Sequence, residues 1–265
     1  MPTFSAVDVQ RAYVIGNDLN LWLEFGNPFG NVPPSRQQAS SNVAFCAAVD
    51  ATTIYVSSGD GNLWLERNLF TSGSSPTREH VDSGVIACSA RDPNRVYVID
   101  IDSNLWLEQG PFGTGSPTRQ LVDRNVIACS AVDANTVYVV GTDGNLWLEH
   151  GPFGSVPPAR QRVDGNAIAC SAVDANTVFV LAASQGTLWC EHAPFGSVPP
   201  VRKHVDDNVI ACSAVDANTV YVLGNDHSLW LEHAPFGSVP PTRELVDRGV
   251  ADVAPTPIMQ PQPID

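Results

Sequence analysis

Hydrophobic positions along the chain fall into short runs, not long stripes. In Asn208–Asp247, "NVIACSAVDANTVYVLGNDHSLWLEHAPFGSVPPTRELVD", runs rich in Val, Ile, Leu, Tyr and Trp are broken by Asn, Asp, Gly and Pro. No apolar stripe recurs at the helical period of about 3.6 residues, so the pattern predicts strands and turns. Strand A is "VIACSAV", B is "TVYVLG", C is "SLWLEH" and D is "TRELV". Pairs such as "ND" or "DG" between B and C suit a tight hairpin. A short "DAN" turn joins A to B, and the long "APFGSVPP" joins C to D. Strand B is apolar at successive positions, which predicts that both of its faces are covered. The small residues of "ACSA" suit a crowded innermost strand.

The unit repeats six times. Trp22, Trp64, Trp106, Trp147, Trp189 and Trp230 follow one another at steps of 41 or 42 residues, and Arg36, Arg78, Arg119, Arg160, Arg202 and Arg243 keep the same step. A four-stranded repeat of this period predicts an all-β, six-bladed β-propeller. A solenoid would need distinct capping repeats, and the end units resemble the middle ones. The signatures of WD40 and kelch repeats are missing. The propeller is expected over residues 1–254 as one domain, with residues 255–265 an extended, Pro-rich tail. Both "PTFSAVD" near the start and "RGVADVAP" near the end match strand A. One such segment is therefore surplus, which predicts ring closure by strand pairing between the two terminal segments.

Composition narrows the partners. The formal charge is −14 and Lys203 is the single lysine. Such a surface repels phosphate backbones and anionic headgroups, so neither nucleic acid nor a membrane is an expected partner. No run is long and apolar enough to span a bilayer, and the N-terminus lacks a basic region followed by an apolar stretch. Cys46, Cys88, Cys129, Cys170 and Cys212 share one place in the repeat, and Cys190 replaces the second Leu of "LWLE". Equivalent positions in neighbouring blades are expected to lie too far apart to bridge, so all six read as packed free thiols. Free thiols fit a reducing compartment. The expectation is a cytoplasmic protein, or one released without a classical signal.

Candidate chemistry also recurs once per blade. In a meander the A–B and C–D connections share one end, so that face gathers four groups. They are the "AVD" Asp, the Glu closing strand C (Glu24, Glu66, Glu108, Glu149, Glu191, Glu232), the Phe of "PFG" (Phe29, Phe112, Phe153, Phe195, Phe236) and the Arg opening strand D. Trp lies beside them on strand C. The bland reading makes Trp interblade packing, Phe a plug holding its loop onto the blade, Glu and Arg a clasp between strands C and D, and Asp a turn former. The functional reading makes Trp, Phe, Glu and Arg a repeated sugar kit. An aromatic face meets the C–H side of a sugar ring, while charged groups take its hydroxyls. Unit two lacks the "PFG" context, unit one ends "RQQAS" in place of "VD", and unit five has "SQG" for "NDG".

No catalytic residue is assigned. His150, His192 and His233 follow "LWLE" or "LWCE", so they are repeated positions and not one asymmetric triad. No unrepeated polar residue stands out where a hydrolase or lyase would need it at the central channel. His and Cys lack zinc spacing, the "DG" turns have no acidic ladder for calcium, and no Gly-rich phosphate loop is present. No metal or cofactor is expected.

The hairpin "VYVVGTDGNLWLE" (Val137–Glu149) and its five counterparts resemble tachylectin-like and tectonin-like repeats, in which a strand, a "DG" turn and a Trp-bearing strand recur in each blade. The resemblance implies a propeller lectin holding N-acetylated sugars between adjacent blades. The insert "APFGSVPPTR" departs from the tectonin pattern. A weaker likeness is to six-bladed fucose-binding lectins, whose hairpin carries an Arg in its first strand and a Glu near the end of its second. Glu149 and its equivalents match that Glu, while the Arg is matched at Arg11 and Arg95 and is Thr elsewhere, as at Thr136. These features lead to a multivalent carbohydrate-binding protein with glycan partners, avidity compensating for weak single sites. The alternative is a protein-interaction scaffold using an acidic ring face, with a propeller hydrolase or lyase a third class.

Overall fold

The computed structural model describes residues 3–26, 29–30, 34–113, 115, 117–154, 158–196, 200–237 and 241–251. The expected Pro-rich tail, residues 255–265, lies outside them. Every regular element among the described residues is a strand. Blade one holds β1 (Phe4–Asp8), β2 (Arg11–Ile15), β3 (Leu21–Phe25) and β4 (Ser35–Ser40). Blade two holds β5 (Val43–Ala48), β6 (Ile54–Ser58), β7 (Leu63–Arg67) and β8 (Thr77–Asp82). Blade three holds β9 (Val85–Asp92), β10 (Arg95–Asp100), β11 (Asn104–Gln109) and β12 (Thr118–Arg124). Blade four holds β13 (Val126–Asp133), β14 (Thr136–Gly141), β15 (Leu146–His150) and β16 (Ala159–Asp164). Blade five holds β17 (Ala167–Asp174), β18 (Thr177–Ala182), β19 (Leu188–His192) and β20 (Val201–Asp206). Blade six holds β21 (Val209–Asp216), β22 (Thr219–Gly224), β23 (Ser228–His233) and β24 (Thr242–Arg248).

Each set of four is an antiparallel meander in chain order. The first strands of the blades contact one another around a closed ring, β21 against β1. The molecule is the six-bladed propeller that the repeat predicts. No helix is long and apolar enough to cross a membrane.

Strand B shows why its sequence is apolar throughout. Val137 and Val139 of β14 join the core against blade three, while Tyr138 and Val140 of the same strand join the core against blade five. Alternate side chains enter alternate seams, so neither face meets water. Six such cores lie between adjacent blades. Each fully buried Val or Leu contributes roughly 1.5–3 kcal/mol relative to exposure.

The D–A turns share one backbone solution. Asn42, Asn125, Asn166 and Asn208 have φ between 55° and 64°, and Gly84 and Gly249 take the same place at 71° and 78°. Asn and Gly are the residues that tolerate this left-handed conformation. Strand A then begins by bonding back to the preceding blade. The amides of Val43, Val85, Val126, Ala167 and Val209 donate to the B–C turn carbonyls of Leu19, Gly61, Ser103, Gly144 and Gly186.

Ring closure uses the same contact. The amide of Val250 donates to the carbonyl of His227, Val250 bridges to Gly16 of blade one, and Ala251 donates to Ile15. Ile15 also donates to Thr3. The two chain ends thus lie in line along one innermost strand, Val250–Ala251 at its start and β1 as its continuation. The surplus strand-A segment in the sequence is accounted for.

The central edges are tied by a hydrogen-bonded belt. The Ser hydroxyl of "CSA", or of "FSA" in blade one, accepts from the Ala amide of the next blade, in Ser5–Ala48, Ser89–Ala131, Ser130–Ala172, Ser171–Ala214 and Ser213–Ala6, at 2.8–2.9 Å. These bonds satisfy inner-strand amides that have no ladder partner. Blade two carries Ala47 in the serine's place, so its seam with blade three lacks the bond. All six cysteines are free, as the sequence predicts.

Candidate functional site

The register places each repeated Glu directly opposite its Arg, as in Glu149 and Arg160 or Glu232 and Arg243. The glutamates are buried, and Glu149, Glu191 and Glu232 have no exposed surface. Arg78 lies 3.4 Å from Glu66, Arg119 3.0 Å from Glu108, Arg160 3.8 Å from Glu149 and Arg202 2.8 Å from Glu191, and Arg243 pairs with Glu232. The same guanidinium also reaches an Asp on strand D of the preceding blade. Arg119 meets Asp82 at 3.6 Å, Arg160 meets Asp123 at 3.6 Å, Arg202 meets Asp164 at 2.7 Å and Arg243 meets Asp206 at 2.5 Å. Each Arg also lies over the ring of its blade's Trp, at 4.3–5.0 Å, from Arg36 over Trp22 through to Arg243 over Trp230. The Arg therefore clasps strands C and D, covers one indole face and ties its blade to the one before.

The electrostatics follow from that burial. Loss of solvent pushes Glu24 up to about 9, Glu108 to about 7, Glu149 and Glu191 to about 8, and Glu232 to about 7. The neighbouring Asp carboxyl adds to the rise and the Arg opposes it. Glu66 is raised by the same burial, but Ser40 stands where other blades have Asp and donates to Oε1 at 3.1 Å.

The Phe of "PFG" is a wedge in the seam. Phe29, Phe112, Phe153 and Phe236 are buried and Phe195 is half-buried. Each meets a strand-B aromatic of the preceding blade edge-on: Tyr221, Tyr55, Tyr97, Phe179 and Tyr138 respectively, with centroids 5.7–6.2 Å apart. In blade two Leu69 fills this place against blade one, and Phe70 points outward. The tyrosines extend the tie. Tyr13, Tyr55, Tyr97, Tyr138 and Tyr221 donate to A–B turn carbonyls of the next blade. The "AVD" aspartates are turn formers, as Asp133, Asp174 and Asp216 each accept from the amide two residues on.

What stays accessible of the expected sugar kit is limited. The six Trp are half-buried, and Arg78, Arg119, Arg160, Arg202 and Arg243 keep between 38% and 47% of their side chains exposed. Arg11, one of the two residues matching the fucose-lectin Arg, is paired with Asp8 at 2.5 Å. His150 and His192 lie near Thr136 and Thr177 of the adjoining strand, at 3.5 and 3.2 Å. No group of His, Cys, Asp and Glu able to hold a metal is found among the described residues.

The unrepeated features lie elsewhere. The central channel encloses about 160 Å³ and is lined by strand-A residues such as Ser89, Cys129 and Ser130. Arg91 enters it and donates to the carbonyls of Ala131, one blade onward, and Ala172, two blades onward. Val7, Val49, Val132, Val173 and Val215 hold this position in the other blades. The expectation of no unrepeated polar residue at the channel is thus corrected. The signal was in the sequence, as "ACSARDP" departs from "ACSAVDA", but the wider regularity of the repeat masked it.

At the opposite end of the channel, the start of strand A is bulged. The register slips at Ile127, Ile168 and Ile210, and again opposite Ile86. The extra residue turns its side chain out of the seam. Ile127, Ile168 and Ile210 stand 44%, 44% and 37% exposed, while Ile86 is half-buried and packs against the core between blades three and four. Blade two has Ala44 at this place and blade one has Ala251, so the exposed isoleucines form a crescent over the adjoining first strands of blades four to six. Ile101 and Leu19 add exposed apolar surface on B–C turns of the same face.

No protein-family model matches the sequence, and no curated protein matches it. Solved structures do. The β-propeller domain of Cps50 (Swd1) from Myceliophteria thermophila superposes with a TM-score of 0.60 at 10% identity, over 91% of this chain and 85% of that one. Prp20p from Saccharomyces cerevisiae, described together with its binding to Gsp1p and histones, gives 0.56 at 9% identity, over 92% and 76%. Hsv2p from Kluyveromyces lactis gives 0.54 at 10%, over 87% and 73%. At such identities the likeness is one of architecture, and the chain is established by it as a β-propeller.

Proposed function

We propose that the protein is an interaction scaffold that takes a basic polypeptide segment bearing apolar side chains, on the ring face made by the B–C and D–A turns. The observation that carries this is the isoleucine crescent at the channel mouth. Contiguous exposed apolar surface rimmed by polar residues marks interaction sites. Around it stand exposed Asp18, Asp60, Asp102, Asp143, Asp207 and Asp226, against Arg124, Arg162 and Arg248 on the same face. Backbone hydrogen bonds from Asn20, Asn145 and Ser228 hold Asp18, Asp143 and Asp226 below the usual carboxylate range. These groups are charged at neutral pH, and the excess of aspartate selects a cationic partner. The propeller of Prp20p, with its binding to Gsp1p and histones, supports a fold of this kind serving protein partners.

A peptide alternating Lys with Leu tests the reading, with a Lys–Gly peptide of equal charge as control. The Lys–Leu peptide is expected to bind more tightly, and its affinity to fall with salt. Ile168→Asp with Ile210→Asp is expected to abolish the preference without lowering the melting temperature, since both side chains are exposed. Equal binding of both peptides, or an unchanged preference in the variant, refutes the proposal.

A second reading, a multivalent lectin, is favoured by one observation, the sixfold recurrence of half-exposed Arg over Trp. Arg160→Ala is then expected to remove one sugar site and leave the others. An empty glycan array together with no heat on titrating common sugars would eliminate it.

A further inference from the structure

Five of the six blade seams set a buried Glu beside a half-buried Asp of the preceding blade. Glu24 is set beside Asp247, Glu108 beside Asp82, Glu149 beside Asp123, Glu191 beside Asp164 and Glu232 beside Asp206, and in the last four seams one Arg lies within 3.8 Å of both carboxyls. The Glu comes from strand C of one blade and the Asp from strand D of the blade before. Donors are scarce there. Both carboxyl oxygens of Glu24 and Glu149 and one each of Glu191 and Glu232 are buried without a hydrogen bond, while Oε1 of Glu108 and Oδ2 of Asp82 face Arg119 at 3.0 and 3.6 Å. One Arg per seam supplies one positive charge to two carboxyls. Asp100 also competes for Arg119, at 3.6 Å. The other titratable neighbours are the phenols of Tyr221, Tyr97 and Tyr138, which face Glu24, Glu149 and Glu191 across their seams, and the thiol of Cys190 beside Glu191. None of these supplies the missing charge, and two bare carboxylates in contact repel.

We propose that each of these five seams is held by one proton shared between its Glu and its Asp, so that the ring is tightest below neutral pH and loosens in alkali. The sixth seam shows the alternative. Ser40 replaces the Asp and donates a hydroxyl hydrogen to Glu66, so this seam sets no second carboxyl beside its Glu. The direction follows from linkage. A Glu that holds its proton more tightly in the folded chain favours folding fully below the unfolded value of 4.5. It loses that contribution as pH rises through about 7 to about 9.

Infrared spectra of the folded protein test the proton directly. A carboxylic-acid carbonyl band is expected near pH 6, fading as the solution is brought to about pH 10, with band loss in Glu149→Gln identifying one contributor. Thermal melts over the same range are expected to fall for the wild type. They should fall less when Asp123, Asp164 and Asp206 are replaced by Ser, copying the Ser40 seam. Groups outside these seams are common to both proteins and cancel in the comparison. Absence of the acid band near pH 6, or a melting temperature that stays level or rises into alkali, overturns the proposal. The infrared result stands even if the triple variant does not fold.

Discussion

Glu149 and Phe153 carry the side-chain chemistry of a sugar site, and both are spent inside a seam. Residue type alone does not separate the two roles, because a carboxylate opposite an Arg suits a hydroxyl as well as a clasp. Burial separates them, and burial depends on the neighbouring blade. The same holds for thiols. Burial pushes the Cys46 thiol up to about 12 and holds Cys88 well above the ordinary thiol value. A reactive thiolate is therefore absent at ordinary pH. Thiol titration at about pH 8 is expected to be slow on the native protein and to reach all six cysteines once it is denatured. Phe179 offers a gain. It sits where the other blades have Tyr, and the homologous carbonyl, that of Asp216, is left without a phenol. Phe179→Tyr is expected to add about 1 kcal/mol of stability, read as a rise in melting temperature.

Strands and turns were the most legible level. The period of about 42 residues, the "DG" turns and the doubly apolar strand B sufficed to place β21 to β24 within two residues of their observed ends. The bulge opening strand A was not legible. "VIAC" reads as an even strand, and only pairing with strand B shows that the Ile is the extra residue. Arg91 was legible as a departure from the repeat, yet its reach to Ala131 and Ala172 depends on the curvature of the ring. The serine belt makes a prediction at this level. Ala47→Ser supplies the missing acceptor opposite the amide of Ala90 and is expected to stabilise by about 0.5–1.5 kcal/mol, measured by denaturant melts with an unchanged slope. No change would mean that the Ala90 amide is already satisfied by solvent in the channel.

At the scale of the whole molecule, stability depends on closing the ring. Val250 is buried in the core between blades six and one and repeats the backbone bond that begins every other blade. Removal of residues 249–265 is expected to cost about 2–4 kcal/mol, from the lost Val burial and backbone bonds together. Removal of residues 255–265 alone is expected to leave the melting temperature unchanged. Calorimetry on the two truncations checks both. Sequence by itself determined the number of blades, the strand order, the free thiols and the chain-end overlap, since these follow from local patterns and their period. Tertiary structure decided which of the repeated Glu, Phe, Arg and Trp side chains are buried in a seam and which stay half-exposed. A residue at a blade face is exposed or buried only by virtue of the next blade, which lies about 42 positions away along the chain.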